Sequence, residues 1–301
     1  MPELRKNGFK VWAQFFGSTT GSMFGDTGTK IYDANENRVG TSPAWEYDNT
    51  KYWINGTYHF FALYPESLDI KRNADGTPQK DADNNEIPNV IYNNENFQFG
   101  YDVANQVDIL VATPDQIAFS GTDNPSTVAL NFYHPLCQLE FQAISKSTDK
   151  KAVIYGVDIY DAASTGTYSF DGNKWDWQTP SQSSTNTLIY SSPSVAYDLN
   201  GVDYTTVVSG VMMIPQNLEN IYIKVRYQGL KNGQPDIIAS EALRLYIEPN
   251  TDNQAGHTEW IQGKKYTYRL SVTEYDLISF SPPTVTEWNT ASGGNFIVDT
   301  K

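Results

Sequence analysis

TVALNFYHPLCQLEFQAI, residues 127–144, holds one of the chain's three histidines and its only cysteine. Val128, Leu130 and Phe132 share one face of an extended chain. Cys137, Leu139, Phe141 and Ala143 share the opposite phase. The flip falls on Tyr133-His134-Pro135. A one-residue slip sends every following side chain to the other face, so the spacing predicts a strand with a bulge or bend. Pro135 has no N–H and suits the break. Cys137 then points inward as a small buried hydrophobe, where burial disfavours the thiolate that chemistry would need. His134 reads as a structural histidine at the bend. With no second thiol in the chain, the pair makes no zinc cluster.

The same period of two recurs on both sides of this stretch. Phe9, Val11, Ala13 and Phe15 share a face, as do Tyr58, Phe60, Ala62 and Tyr64. Phe61 and Leu63 make the second run apolar on both faces, which predicts a central strand covered twice. Further runs are Val107, Ile109, Val111; Val153, Tyr155, Val157, Ile159; and Ile221, Ile223, Val225, Tyr227. Leu243, Leu245, Ile247 and then Tyr266, Tyr268, Leu270, Val272 close the series. No convincing amphipathic helix interrupts it. Asn55-Gly56, Asp171-Gly172, Asn200-Gly201 and Asn232-Gly233 are hairpin signals, because both residues of each pair tolerate positive φ. Residues 69–96 and 178–194, polar and rich in Asn/Asp or Ser/Thr, read as long exposed loops. Short strands at this spacing predict an all-β fold of two β-sandwich domains. GTDNPST, 121–127, is the best boundary, which places the domains at 1–124 and 125–301.

Composition agrees. The 301 residues are 14% aromatic, with 20 Tyr, and only 19% charged, a balance that suits strands and turns. A net charge of −14 disfavours nucleic acid and anionic membrane as partners. No apolar run approaches the length of a membrane span. One cysteine cannot form an internal disulfide and is compatible with export. No signal peptide opens the chain, so either the protein is cytosolic or a processed segment precedes Met1.

Chemistry is sparse. G-x-S-x-G, G-x-G-x-x-G and P-loop patterns are missing, and His59, His134 and His257 lie far apart. Neither a metal nor a cofactor is expected, and no catalytic residue is assigned. Asp81, Asp83 and Asn85 imitate the start of a calcium loop, but Glu86 stands where its glycine belongs and Tyr92 where its last glutamate belongs. Trp175 and Trp177 are two apart on a predicted strand and share a face. They fit either interior packing or a glycan-stacking surface.

VWAQFF near the start, YWINGTYHFFALYP at 52–65, VALNFYHPLCQLEFQ at 128–142, VMMIPQ at 211–216, WIQGKKYTYRLSV at 260–272 and VTEWN at 285–289 appear in order. Together they resemble the fimbrillins, the Mfa-like pilins of Bacteroidales, over nearly the whole chain. The resemblance implies two transthyretin-like sandwiches and a non-catalytic subunit of surface fimbriae. It also implies export as a lipoprotein precursor, so that the membrane is reached only through a lipid anchor, and assembly by donor-strand exchange after cleavage at an arginine. Its partners would be other fimbrial subunits, with host or bacterial surface glycans or proteins as adhesion targets. Cys137 lies mid-chain and is no counterpart of the family's lipid-bearing cysteine. Arg5, in LRKNGF, is the processing candidate. Phe296, Ile297 and Val298, behind the Gly293-Gly294 joint, form the donor-strand candidate; the other reading of this tail is a last strand of the C-terminal domain, or a frayed end. A surface carbohydrate-binding protein using exposed aromatics is the alternative function.

Overall fold

The computed structural model describes residues 2–38, 41, 43–48, 51–73, 75–93, 96–113, 116–120, 127–146, 152–170, 174–178, 186–199, 201–231, 234–246, 256–272, 278–280, 282–288 and 296–299. After a helical turn, α1 (Pro2–Asn7), the first part of the chain forms β1 (Phe9–Gly17), β2 (Thr20–Ser22), β3 (Thr29–Asp33), β4 (Trp45–Glu46) and β5 (Gly56–Tyr64). It continues with β6 (Val90–Asn93), β7 (Asn96–Asp102), β8 (Leu110–Ala112), β9 (Ile117–Phe119) and β10 (Thr127–Leu130). Next come β11 (Cys137–Ser145), β12 (Val153–Tyr160), β13 (Thr165–Phe170), β14 (Trp175–Gln178), β15 (Leu188–Ser191), β16 (Tyr197–Asp198), β17 (Thr205–Met213) and β18 (Gln216–Asn217). The chain ends with β19 (Tyr222–Lys231), β20 (Gln234–Arg244), β21 (Glu259–Trp260), β22 (Lys264–Val272), β23 (Ile278–Phe280), β24 (Thr284–Glu287) and β25 (Phe296–Asp299). The protein is all-β, built as stacked sheets.

β5 sits where its two apolar faces require. It is flanked by β1 and β8 in a sheet of order β4-β3-β1-β5-β8, with β2 on β1 and β9 also on β5. Phe9, Val11, Ala13, Tyr58, Phe60 and Ala62 share one core with Val128, Leu130 and Phe132. Trp12, Phe61 and Leu63 belong to the other. Each fully buried aromatic or aliphatic side chain here adds roughly 1.5–3 kcal/mol, so double coverage makes β5 the anchor of this half.

The sheet on the Phe61 side is shared between distant parts of the chain. Its order is β14-β13-β7-β6, and β13 pairs with β7 from Thr165↔Asp102 to Phe170↔Phe97. Segments from either side of residue 124 therefore form one sheet. Phe61 stacks on Phe97 at 5.0 Å and meets Trp175 edge-on at 6.2 Å. Beyond it, β17-β11-β22-β23 and β15-β12-β19-β20 share a core that includes Leu139, Phe141, Ile159, Ile223, Val225, Tyr266 and Tyr268.

Several expectations need correcting. The stretch 127–144 is two strands rather than one bent strand: β10 packs in the N-terminal core, and β11 in the other. Asn55-Gly56 closes no hairpin, since β4 pairs with β3 and β5 with β1, β8 and β9. Asn200 lies outside the described residues, but the strands before and after it, β16 and β17, belong to different sheets. Asp171-Gly172 and Asn232-Gly233 lie outside the described residues, but their flanking strands pair as hairpins, Phe170↔Trp175 and Lys231↔Gln234. The run at 153–159 breaks at a bulge beside Gly156, which puts Ile154 and Val157, not Val153 and Val157, in the core. Finally, the described residues of 69–93 form a bridged arm rather than an open loop. Ile70 bridges Pro88, Arg72 bridges Pro78 and Lys80 bridges Glu86, and β6 follows. Within 178–194, residues 188–191 form β15 on β12.

Candidate functional site

The phase flip at 133–135 is where the chain leaves one core for the other, and residues from several parts of the chain hold it. Tyr133 exchanges both backbone hydrogen bonds with Val111 of β8, at 3.0 and 3.1 Å. His134 Nδ1 lies 2.8 Å from Asp108 Oδ1, and its ring stacks on Trp288. Trp177 Nε1 donates to the Pro135 carbonyl at 2.8 Å, and the Gly263 N–H donates to Leu136. His134 is thus a satisfied structural residue. Cys137 is fully buried, with its Sγ 3.4 Å from the Met213 carbonyl as donor, and burial pushes the thiol pKa far up. A thiol so placed does no nucleophilic work.

Upstream of the flip lies the site the sequence did not single out. β10 carries Val128 and Leu130 into the N-terminal core, while Ala129 is exposed. Among the described residues β10 pairs with one strand, β25, in a separate two-stranded sheet. The register sets Phe296 opposite Leu130, Ile297 opposite Ala129, Val298 opposite Val128 and Asp299 opposite Thr127. β25 also runs within 8 Å of β4, Cα to Cα. Among the described residues the tail therefore pairs with β10 and not with a strand of the C-terminal sheets. The phase flip itself was the available signal, since it marks where the chain passes from a strand in one core to a strand in the other.

Arg5 lies in α1, next to fully buried Leu4. Its Nε donates to Asp33 Oδ2 at 2.6 Å, Nη2 to the Asn35 carbonyl at 3.1 Å and Nη1 to the Thr41 carbonyl at 3.2 Å. Asp33 Oδ1 accepts the N–H groups of Asn35 and Ala44. Burial pushes the Asp33 carboxyl up, but the hydrogen bonds from Ala44, Arg5 and Asn35 outweigh it and hold the pKa below the usual carboxylate value. A protease needs an extended segment with the arginine free, so α1 must open before the bond after Arg5 can be cut.

Trp175 and Trp177 do share a face, and it is an inner one. Trp177 is 8% exposed. Trp175 donates from Nε1 to Thr113 Oγ1 at 2.9 Å and packs on Tyr168 at 5.1 Å. The rings are spent on joining the shared sheet to its neighbours, so of their two readings the interior-packing one describes them. Asp81 Oδ1 accepts the N–H groups of Asp83 and Asn85, so this carboxylate closes its own turn. Among the described residues, no group of three His, Cys, Asp or Glu side chains is placed to hold a metal ion, and no helix is long and apolar enough to cross a membrane.

Stacked, mostly antiparallel sheets around two hydrophobic cores define the class, an all-β sandwich protein. The model of the fimbrillin-like family matches residues 6–288, and the chain belongs to that family. A fimbrial protein from Bacteroides vulgatus is similar at 17% identity and a TM-score of 0.58, covering 94% of this chain and 93% of that one. A candidate cell adhesion protein from Parabacteroides distasonis is similar at 11% identity and a TM-score of 0.52, covering 97% and 92%. At such identities the likeness speaks for the fold. No curated protein matches the chain.

Proposed function

We propose that the chain is a non-catalytic structural and adhesive subunit of cell-surface fimbriae, joined to its neighbours by strand exchange after proteolytic trimming. The family membership supports the fimbrial part. The observation that carries the exchange is the pairing of β25 with β10 alone. Among the described residues β10 has no other strand partner, and an equivalent strand of a second copy fits the same backbone donors and acceptors. In this reading a strand upstream of the cut holds the place in the precursor, and cleavage after Arg5 frees it. Phe296, Ile297 and Val298 then act as donor residues. The other partners are surface glycans or proteins, and a lipid on the precursor attaches the assembly to the outer membrane.

The test is trimming with an arginine-specific protease, followed by incubation and an unboiled SDS gel. Exchange gives a ladder of oligomers. Monomers that persist after confirmed cleavage at Arg5 contradict it.

A further inference from the structure

The arm that follows β5 does not lie flat on the molecule. Residues 67–73, Gly76 and Gln79 stand beside the shared sheet and border an open groove of about 850 Å³, within the roughly 300–1,000 Å³ range of ligand sites. Its floor includes Thr165 and Thr167, which alternate with inward-facing Tyr168. Gly100, opposite Thr167, leaves the floor low; a Cβ there would meet Asn89 Oδ1 at 2.8 Å. Asn89 fixes the width. Its Nδ2 donates to the Leu68 and Gly100 carbonyls at 2.8 and 2.9 Å, and its Oδ1 accepts the Gly100 N–H at 3.2 Å. One side chain thus pins the arm to the floor, so the groove is preformed.

The wall brings cations. Arg72 donates from Nε to the Ser67 carbonyl and from Nη1 to the Gly76 carbonyl, both at 3.0 Å. These bonds fix the guanidinium plane and leave Nη2 for another acceptor. Lys71 has no ion-pair partner among the described residues. Asp102, the carboxylate of the lining, accepts the Ala104 N–H at 2.9 Å and so caps its own turn. On a chain of net charge −14, the groove reverses the prevailing sign.

We propose that this groove binds an acidic oligosaccharide. A sugar carboxylate meets Arg72 and Lys71, where the planar fork suits two carboxylate oxygens, and ring hydroxyls meet Thr165, Thr167 and Gln178. An acidic peptide fits less well. β14 covers the free side of β13 from Thr167 onward, and Asn89 takes up the Gly100 N–H and carbonyl, so the floor offers only a short backbone edge for a peptide to join. The site is independent of strand exchange and would serve adhesion whether or not the chain polymerises that way.

The experiment is calorimetric titration of the intact chain with oligosaccharides of galacturonate, alginate and hyaluronan, with neutral oligosaccharides of equal length, and with an acidic peptide. At least one acidic sugar binds, and binding weakens as salt rises. Lys71→Glu lowers affinity about ten-fold or more, the loss of one charge-assisted hydrogen bond. Thr167→Trp fills the floor and abolishes binding while the circular dichroism spectrum is kept; if that variant misfolds, Lys71→Glu decides. The proposal is overturned by failure of all three acidic sugars to bind, by equal binding of neutral sugars, by preference for the peptide, or by affinity unchanged in the folded variants.

Discussion

The imidazole of His134 lies flat on the indole of Trp288, with ring centroids 3.8 Å apart and planes 8° from parallel. One residue sits where the chain crosses between cores, and the other where β24 ends and the tail toward β25 begins. The stack therefore ties the crossing to the root of the tail. Asp108, ahead of β8, holds the same imidazole from the other side. A double-mutant cycle on His134→Ala and Trp288→Ala is expected to give a coupling energy of about 1 kcal/mol, the usual worth of an aromatic pair beyond its burial. Thermal melts of the four proteins measure it, and strict additivity would contradict the clasp.

His257 sets a pH dependence. It is 6% exposed, its Nε2 lies 2.7 Å from the Tyr268 hydroxyl, and burial pushes its pKa down from 6.5 to about 4. The unfolded chain takes up this proton between those values and the native state does not, so stability falls as pH drops from 6.5 toward 4. The loss amounts to about 3 kcal/mol across the window. His257→Gln keeps a polar group against Tyr268 and is expected to flatten the slope of Tm against pH between 6.5 and 5. An unchanged slope would refute the assignment.

Asp33→Asn probes the restraint on Arg5. The amide oxygen still accepts from Asn35 and Ala44, but the group facing the guanidinium changes from acceptor to donor. Cleavage after Arg5 by an arginine-specific protease is expected to speed up about ten-fold, since a hydrogen bond between charged groups no longer holds α1 closed. Quantifying the new N-terminus over time measures this. Equal rates would mean that α1 opens without breaking that pair.

Trp177→Ala is expected to destabilise the fold by about 3–5 kcal/mol, as for large aromatics removed from a core. Trp177→Phe is expected to cost about 1 kcal/mol, because the buried Pro135 carbonyl loses its donor. Denaturant unfolding gives both values. Wild-type stability in Trp177→Ala would restore the reading of this side chain as a surface group.

The residues announced their facing better than their partners. β1, β5, β19 and β22 read correctly because their alternation is unbroken and each buries a whole face. β12 misled because a bulge at Gly156 shifts its phase by one, and nothing in the apolar pattern marks that residue. Here the φ of +150° leaves room for the Arg226 guanidinium and the Ser192 hydroxyl, 2.5 and 2.3 Å from where a Cβ would stand. The arm after residue 69 read as a loop because its bridges are backbone contacts that set Ile70, Arg72 and Lys80 against Pro88, Pro78 and Glu86, a mixture that carries no periodic signal. The shared sheet was invisible for another reason: β7 and β13 are far apart in the chain, and pairing is decided by tertiary fit, not by local propensity. Trp175 and Trp177 were correctly placed on one face, but only the partner sheet shows that the face is internal. The tail at 296–298 was recognisable as a strand, whereas its place on β10 depends on a neighbour 166 residues or more away in the chain.

The central claim is that the place beside β10 can be filled by the tail of another copy. Ala129 and Ile297 are directly paired, and the native Cys137 is fully buried, so cysteines introduced at these two positions report on that place. One preparation carries Ala129→Cys and the other Ile297→Cys; both are trimmed after Arg5, mixed and oxidised. The account predicts a disulfide-linked heterodimer between the two chains. Efficient closure within a single chain carrying both substitutions, with no crosslink between the separate chains, would show that the strand serves only its own molecule.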